Sequence, residues 1–181
     1  MLNLWHDLSP GAEAPEKVTT IVEIPRGSRN KYELDKDTGL VRLDRVLYSA
    51  MVYPGDYGFV PRTLHEDGDP LDVLVRTDEP TFPGCLIDVR PIGVLRMLDR
   101  NEPDDKILGV PATDPRSAEY FDIADLPQHF LKEVEHFFHV YKDLEGKRVQ
   151  ILGWEQCNKA IEIINESIAR YSAAYLEQQG P

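Results

Sequence analysis

Short runs rich in β-branched residues, separated by glycine, proline, asparagine and aspartate, constrain the fold of this chain most. Runs of this kind predict strands, and the turn residues between them mark where each strand ends. Because few helices interrupt these strands, we expect them to form a closed or nearly closed barrel. The predicted strands are 18–24, 40–47, 71–76, 86–98, 107–110 and 147–152.

Two segments in the second half of the chain have the apolar spacing of helices. One apolar stripe runs from Phe130 to Tyr141, with Asp125 and Pro127 as start signals and Gly146 as a stop signal. A second stripe, Ile161 to Tyr175, predicts a helix that packs on the barrel and could extend to a subunit contact. The sequence therefore predicts an α+β fold, a β-barrel with helices outside it.

The acidic balance of the chain excludes some classes of partner. The net charge is −12 over 181 residues, whereas nucleic acids and anionic membranes are bound by basic surfaces. An anionic substrate is not excluded, because bound metal ions can reverse the sign of the charge locally. Since 41% of the residues are hydrophobic, we expect one compact domain, 1–181, in which residues 1–17 form an irregular arm.

The cellular location follows from the terminal sequence and the cysteines. The first residues lack the basic segment and apolar run of a secretory signal, and no stretch reaches the roughly 18 apolar residues of a membrane span. Cys85 and Cys157 lie far apart without a CxxC spacing, which is typical of free thiols in a reducing compartment. We expect a soluble, cytoplasmic protein without a membrane partner.

The segment from Glu66 to Asp72 carries the strongest chemical signal. Asp67, Asp69 and Asp72 lie close together in a turn that runs into a predicted strand. Like charges this close repel unless a cation neutralises them, and Mg²⁺ takes carboxylate oxygens together with water. The spacing does not fit an EF-hand loop. By itself, an acidic turn is also typical of a solvated loop, so both interpretations stay open for this segment alone.

A second acidic patch follows the longest predicted strand. It contains Asp99, Glu102, Asp104 and Asp105, directly before Lys106. Asp99 is in phase with an apolar row of the strand, which favours a carboxylate that points into the barrel mouth. A solvated acidic loop is again the alternative for this patch.

Arg45 is the only charged residue on one face of the strand predicted at 40–47. Its row is Val41, Leu43, Arg45 and Leu47, which predicts that the arginine points inward. An unpaired buried charge is very costly, so an inward arginine requires an anionic partner. That partner is either an internal carboxylate, in a structural ion pair, or the oxygens of a phosphate.

Other polar side chains lie at strand ends, in an aromatic-rich turn and at the end of the first helix. A lysine at a helix end ordinarily compensates the helix dipole, and a tyrosine in a turn ordinarily packs with its hydroxyl at the rim. The phenols of Tyr53 and Tyr57 could instead donate hydrogen bonds to anionic oxygens. The polar side chains of this group are Glu23, Lys31, Glu33, Tyr53, Tyr57, Tyr141 and Lys142.

Other catalytic patterns do not stand out in this sequence. The five histidines lack a zinc-binding spacing, and no Ser-His-Asp or Cys-His arrangement is evident. His136 and His139 are interpreted as helix-surface residues. The combination that remains is a set of carboxylates suited to hard cations, with lysine, arginine and tyrosine suited to phosphate.

With these segments in view, the chain resembles the family I soluble inorganic pyrophosphatases of the short prokaryotic type. The resemblance covers most of the chain, from about residue 18 to 154, and Asp-Gly-Asp-Pro-x-Asp is its most specific motif. The shared segments are Glu23–Pro25, Asn30–Glu33, Leu43–Arg45, Tyr53–Gly58, Asp67–Asp72, Arg90–Val94, Asp99–Lys106, His136–Phe138 and Tyr141–Lys142.

The resemblance implies an OB-like five-stranded β-barrel with flanking α-helices, several Mg²⁺ ions per active site and a homohexamer. Mn²⁺ or Zn²⁺ would serve as substitutes. The implied metal ligands are Glu23, Asp67, Asp72, Asp99 and Asp104, although the adjacent Asp105 leaves the last assignment open by one residue. The implied phosphate contacts are Lys31, Arg45, Tyr57, Lys106, Tyr141 and Lys142, with Glu33 and Tyr53 in the same site.

The reaction that the resemblance implies is hydrolysis of pyrophosphate to two phosphates. A water that bridges two metal ions would attack phosphorus directly, with Asp69 as the general base and no covalent intermediate. Two ions about 3.5–4 Å apart can acidify such a water, and nearby cations can neutralise the leaving phosphate. Such a site should require Mg²⁺ and be inhibited by Ca²⁺, whose coordination is looser.

Two rival functions are considered, one that is also enzymatic and one that is not. A metal-dependent nucleotide phosphohydrolase would need a slot for the base, and none is evident from the sequence. A non-catalytic barrel that binds cations would not require Lys31, Arg45 and Lys142, and one that binds oligonucleotides would need a basic surface with stacking aromatics. Hydrolysis of ATP as fast as pyrophosphate under Mg²⁺ would favour the first rival, and calorimetric titration with pyrophosphate and with single-stranded DNA tests the second.

Overall fold

Five strands close into a ring in the computed structural model, which describes residues 2–176. The strands are β1 (Val18–Ile24), β4 (Asp56–Phe59), β5 (Asp72–Val75), β8 (Lys106–Pro111) and β6 (Leu86–Asp99), and β6 returns to pair with β1. All of these pairs are antiparallel except β5–β8, which is parallel. The predicted α+β fold with an OB-like barrel is confirmed, although the ring is not a perfect barrel.

Four further strands lie outside the ring. The short β7 (Glu102–Pro103) and the longer β9 (Val149–Gln156) both pair with β6. A separate hairpin is formed by β2 (Asn30–Asp35) and β3 (Leu40–Val46). This hairpin is the only two-stranded sheet among residues 2–176.

Both predicted helices are present. The helix α1 (Gln128–Val140) ends before the predicted stop, because Gly146, with a φ of 70°, closes a short 3₁₀ turn, Asp143–Glu145, instead. The helix α2 (Cys157–Tyr171) packs on β6, as predicted for the second apolar stripe. No helix within residues 2–176, these two included, has the length and apolar character needed to span a membrane.

The ring separates two apolar cores. Side chains on one side of β5 and β8, such as Leu74 and Leu108, pack with α1, and those on the other side, such as Val73 and Ile107, pack with α2. Because both faces of these strands are buried, they are continuously apolar rather than alternating. The burial of a leucine or valine side chain contributes about 1.5–3 kcal/mol, so this double core holds the ring strands firmly.

Five of the six predicted strands agree with the observed bounds to within one residue. The strand predicted at 18–24 coincides with β1, whereas the one predicted at 147–152 begins late and runs on to Gln156. The segment Tyr53–Gly58 was interpreted as a turn, but Asp56–Phe59 forms β4. A Cβ atom at Gly58 would lie 1.9 Å from the carbonyl oxygen of Ile21, so only glycine allows β4 to approach β1 this closely.

Two further expectations concern the hairpin and the arm. The prediction that one row of the segment 40–47 points inward holds in part: β3 lies outside the ring and Leu43 is 51% exposed, whereas Leu47 is 1% exposed and Arg45 lines the cavity described below. Residues 2–17 form turns without strand or helix, as expected for an irregular arm. Trp5 of this arm is buried at the side of the ring, against Ile21 and Phe59.

Candidate active site

A cavity of about 460 Å³ lies where the ring meets the hairpin and the end of α1. Most of the predicted site residues converge on it. They are Glu23, Lys31, Glu33, Arg45, Tyr57, Asp67, Asp69, Asp72, Asp99, Asp104, Lys106, Tyr141 and Lys142. These residues come from seven separate parts of the sequence, so the fold is what assembles the cavity.

The parallel pairing of β5 and β8 builds the deepest part of the cavity. Its register places Asp72 directly opposite Lys106, and Asp104 precedes Lys106 by two residues on the same side. The Lys106 ammonium is 3% exposed, donates to Asp72 Oδ2 over 2.6 Å and contacts Asp104. A buried cation thus separates two carboxylates that would otherwise repel each other.

The pKa values in this deepest part reflect the balance between burial and neighbouring charge. Burial lowers the pKa of Lys106, but the Asp104 and Asp72 carboxylates more than offset it, so the pKa is raised. Burial likewise raises the pKa of Asp104, but Lys106 outweighs it and the pKa is lowered. Asp67 has no such partner within residues 2–176, and burial, assisted by the Asp72 charge, raises its pKa to about 6.

Glu23 joins the ring to the hairpin. Its side chain leaves β1 near the strand end, is 7% exposed, and accepts a hydrogen bond from the Leu34 amide over 2.6 Å. Burial, and then the charge of Asp72, raises the pKa of Glu23 to about 8. A carboxylate in this position is stabilised by any cation that enters the cavity.

Asp99 and Lys142 connect the end of β6 to the end of α1. The Lys142 ammonium donates to Asp99 Oδ2 over 2.7 Å. The other oxygen, Oδ1, is buried and has no partner among residues 2–176. A buried, unsatisfied carboxylate oxygen is costly unless a donor or a cation reaches it.

The hairpin contributes cations from the opposite side. Arg45 Nε donates to Glu145 Oε1 over 2.8 Å, and its NH1 group contacts Asp44. Lys31 contacts Glu33 and lies 3.4 Å from Asp44 Oδ2, while burial lowers the pKa of Lys31. Arg45 therefore has a carboxylate partner and also lines the cavity, which keeps both interpretations of its role.

The tyrosines occupy two layers. Tyr57 and Tyr141 line the cavity, whereas Tyr53 does not and is 1% exposed beneath it. The Tyr53 ring lies 5.4 Å from that of Tyr57 and 4.8 Å from that of Phe137. Burial raises the pKa of both Tyr53 and Tyr57 well above 10, so these hydroxyls stay protonated. Tyr53 thus belongs to the core that supports the site.

Asp104 and Asp105, which the sequence left ambiguous, point in opposite directions. Asp104 lines the cavity, whereas Asp105 is buried behind it and accepts from Arg96 Nε over 2.8 Å. Strand alternation carries the signal that separates them, because Asp104 and Lys106 share one side of the chain and Asp105 lies on the other.

Other lining residues were not found by sequence reasoning. They are Tyr32, Leu34, Lys36, Phe59, Pro70, Arg100, Glu102 and Lys147. Of these, Glu102 was noted only as part of the acidic patch. Lys36 lies in an ordinary-looking hairpin turn, and its contact with Asp69 joins positions 33 residues apart, which no local pattern reports.

The cavity fits hard cations by its donor set, although it is not a preformed cage. Within residues 2–176, no three His, Cys, Asp or Glu side chains already converge on one point, because Lys106 and Lys142 hold the carboxylates. The carboxylate oxygens are nevertheless the ligands that Mg²⁺ prefers. The partnerless Asp99 oxygen and the raised pKa values of Glu23 and Asp67 show that the cavity can accommodate additional positive charge.

Comparison with known proteins agrees with this geometry. The family model for inorganic pyrophosphatase matches residues 20–172. An inorganic pyrophosphatase of Geobacillus stearothermophilus is 57% identical over 155 residues, 86% of this chain and 94% of that relative. A soluble inorganic pyrophosphatase of Chlamydomonas reinhardtii is 50% identical over 97% of this chain and 91% of its own.

A solved structure extends the agreement to the backbone. The crystal structure of inorganic pyrophosphatase from Thermus thermophilus superimposes with a TM-score of 0.91 at 48% identity. The match covers 94% of this chain and 99% of that one. The similarity therefore extends over nearly the whole fold.

Proposed function

Because this chain belongs to the inorganic pyrophosphatase family, a family of hydrolases, we propose that it hydrolyses pyrophosphate to two orthophosphates in the cavity described above. One observation carries the proposal to these residues. Carboxylates from β1, the acidic turn and β6 line the same cavity as the cations of the hairpin, β8 and the α1 end. Such a mixture suits a substrate that is an anion carrying bound metal ions.

We propose that several Mg²⁺ ions are held by Asp67, Asp72, Asp99, Asp104 and Glu23, with Mn²⁺ or Zn²⁺ as substitutes. When bound, these ions would neutralise the phosphate oxygens and make water a better nucleophile at neutral pH. Lys106 and Lys142, which hold Asp72, Asp104 and Asp99, would then be released to contact phosphate.

Asp69 is proposed as the general base. Its backbone is held on both sides, since its amide donates to Asp67 Oδ1 over 3.0 Å and its carbonyl accepts from the His65 amide over 2.7 Å. The side chain lines the cavity and is 58% exposed, so water can reach it. A carboxylate positioned in this way can take the proton from an attacking water.

The cationic and phenolic groups are proposed to bind the two phosphates. Lys31 and Arg45 lie on the hairpin side, and Lys106 and Lys142 lie on the ring side. The arginine can offer two parallel N–H groups to phosphate oxygens, and each lysine offers a single ammonium. Cations on both sides would stabilise the negative charge that moves onto the leaving phosphate.

We propose direct attack of water on phosphorus, without a covalent intermediate. Among the described residues that line the cavity there is no serine, threonine, cysteine or histidine to act as a nucleophile. With the base, the cations and the substrate held together, positioning and electrostatic stabilisation suffice for phosphoryl transfer.

Three broader proposals accompany this function. Residues 1–181 form one domain, of which Met1 and residues 177–181 lie outside the described residues. The enzyme is cytoplasmic, and it assembles as a homohexamer. Assembly is supported by exposed apolar side chains of the hairpin region, which include Leu40, Leu43 and Tyr48, whereas Ile164 and Tyr171 of α2 are buried within the protomer.

The proposal is tested by measuring phosphate release from pyrophosphate with Mg²⁺, with Ca²⁺ and with excess EDTA. We expect rapid phosphate release with Mg²⁺, inhibition of that release by Ca²⁺, and no phosphate release in excess EDTA. A parallel assay with ATP is the control for a nucleotide phosphohydrolase. Full activity in EDTA would contradict the metal requirement, and equal rates with ATP would contradict the substrate.

A further inference from the structure

The N-terminal arm contacts, through Trp5, two segments that adjoin the cavity. This residue is 3% exposed and precedes the ring in sequence. One segment leads into the acidic turn, and the other is the turn of the β2–β3 hairpin. The contacts on each side determine what the arm can hold in place.

On the side of the acidic turn, Trp5 is tied by hydrogen bonds. Its indole Nε1 donates to the Thr63 carbonyl over 2.8 Å, and its carbonyl accepts from the Arg62 amide over 2.9 Å. The Thr63 hydroxyl in turn accepts from the Leu71 amide over 2.9 Å. The two ends of the loop that carries Asp69 are therefore held together and fixed to the arm.

On the side of the hairpin, the arm supports Lys36. The Lys36 ammonium lies 5.3 Å from the centroid of the Trp5 ring, within the range of a cation–π interaction. A Cβ atom at Gly39, in the same turn, would lie 3.1 Å from the Asn3 Cα atom. The hairpin turn thus rests directly on the arm, which limits the positions that the Lys36 side chain can take.

The Lys36 ammonium also contacts the Asp69 carboxylate at Oδ1. It lies 3.4 Å from the Gly68 carbonyl oxygen as well. Within residues 2–176 no other cationic side chain contacts Asp69, and Oδ2 of this carboxylate has no partner. One oxygen is held and the other is left for water.

We propose that Lys36 is a positioning residue for Asp69, which orients the carboxylate so that Oδ2 receives the proton of the attacking water. The inference rests on the proposed role of Asp69 as general base. An ammonium also makes a carboxylate a weaker base, but this pair is half-exposed and solvent screens its charges. Orientation is then the larger effect, because small displacements of a catalytic group reduce the rate strongly.

The test compares Lys36→Met and Lys36→Arg with Lys159→Met, which removes an exposed lysine–glutamate pair on α2 far from the cavity. We expect Lys36→Met to lower kcat by about 3- to 10-fold with KM for pyrophosphate changed less than about twofold. Lys36→Arg should restore most of kcat, since a guanidinium can stack on Trp5 and bond the carboxylate. Lys159→Met should match the unmodified protein. A higher KM at unchanged kcat would overturn the proposal and make Lys36 a phosphate-binding group.

A double-mutant cycle with Asp69→Asn separates this inference from the proposed function. We expect Lys36→Met to have no further effect on kcat when Asp69 is already asparagine, because the positioned group is gone. Multiplicative losses would overturn the positioning role. If Asp69→Asn alone kept full kcat, the proposed function of Asp69 would fail instead. The midpoint of urea unfolding for each variant confirms that a loss of kcat does not reflect unfolding.

Discussion

The ring and the hairpin face each other across the cavity, yet they hold their charged groups in different ways. In the ring, Lys106 is 3% exposed and lies between two carboxylates on strands that are buried on both faces. In the hairpin, Arg45 and Lys31 lie on two strands that pair only with each other, among exposed apolar side chains such as Leu43. The charged groups on the two sides of the site are thus held by different structural surroundings.

This difference predicts that charged groups of the ring contribute more to stability, and those of the hairpin more to substrate binding. Charged groups of the ring are integral to the packed core, so their removal should cost stability as well as activity. The side chains of Lys31 and Arg45 in the hairpin are 15% and 21% exposed, against 3% for Lys106 in the ring, so their removal should affect the substrate more than the fold. The two regions can be compared directly because both contribute cations to the same cavity.

The largest expected effect is on Asp69, which connects the two regions. Its backbone belongs to the turn before β5 and its carboxylate contacts Lys36 of the hairpin. Asp69→Asn should lower kcat by about 10²- to 10⁴-fold, as expected when one positioned general base is removed. Unfolding in urea should be unchanged within about 0.5 kcal/mol, because the side chain is largely exposed.

The control for this prediction is Asp88→Asn, an exposed carboxylate of β6 that does not line the cavity. It loses the same charge and should keep full activity. Steady-state phosphate release measures both variants. Near wild-type turnover of the Asp69→Asn enzyme would contradict the role of Asp69 as general base.

The second prediction compares one lysine from each region. Lys106→Met should lower the free energy of unfolding of the metal-free protein by about 3 kcal/mol, because two nearby carboxylates lose their buried partner. Lys31→Met should cost less than about 1 kcal/mol. The directions of the pKa shifts agree, since neighbouring carboxylates raise the pKa of Lys106 whereas burial lowers that of Lys31.

Urea unfolding in the presence of EDTA measures both lysine variants under the same conditions. Lys159→Met is the reference for the loss of an exposed ion pair. Equal losses for Lys106→Met and Lys31→Met would break the proposed distinction between ring and hairpin.

The third prediction concerns substrate binding by the hairpin. Arg45→Ala should raise KM for pyrophosphate by about tenfold, because a guanidinium that can bond two phosphate oxygens is lost. The free energy of unfolding should fall by less than about 1 kcal/mol, although Glu145 loses one partner, because Lys147 still lies 3.1 Å from it. Kinetics and urea unfolding of the same preparation check both parts, and a large stability loss with unchanged KM would make Arg45 a structural residue.

The difference between the two regions also explains what the sequence could predict. The ring strand β1 was predicted at its observed bounds, because residues 18–22 and Ile24 are all β-branched. The same reasoning predicted the orientation of the hairpin strand β3 less well. One row of the segment 40–47 was predicted to point inward, which holds for Leu47 and Arg45 but not for Leu43. Nothing local distinguishes a strand of the ring from one outside it.

Two features were not predicted, the strand β4 and the place of Lys36 in the cavity. Both have physical causes that a single sequence does not display. The strand β4 contains Gly58, which resembles a turn signal but is required by close approach to Ile21. Lys36 depends on Trp5 and Asp69, which are remote in sequence, so its place in the cavity follows only from the assembled fold. The acidic motif could be found because Asp67, Asp69 and Asp72 are close in sequence and have a distinctive spacing.

The smallest expected effect lies in the arm that supports both regions. His6 Nδ1 lies 2.7 Å from the Tyr171 hydroxyl, and burial lowers the pKa of His6 below 6.5. The unfolded chain therefore binds a proton more readily than the folded one, so this histidine's contribution is fully present above 6.5 and is lost as the pH falls through the lowered value. The loss should stay below about 1 kcal/mol, because His6 is only partly buried.

This pH dependence is measured as the difference in unfolding free energy between the unmodified protein and His6→Gln, at about pH 5.5 and about pH 8. The difference should shrink at the lower pH, because only the unmodified protein has to protonate His6. His136→Gln, which alters an exposed histidine of α1, is the control and should show no such change. A difference that is the same at both values would show that the arm is held by packing alone, and that its support of the ring and the hairpin does not depend on pH.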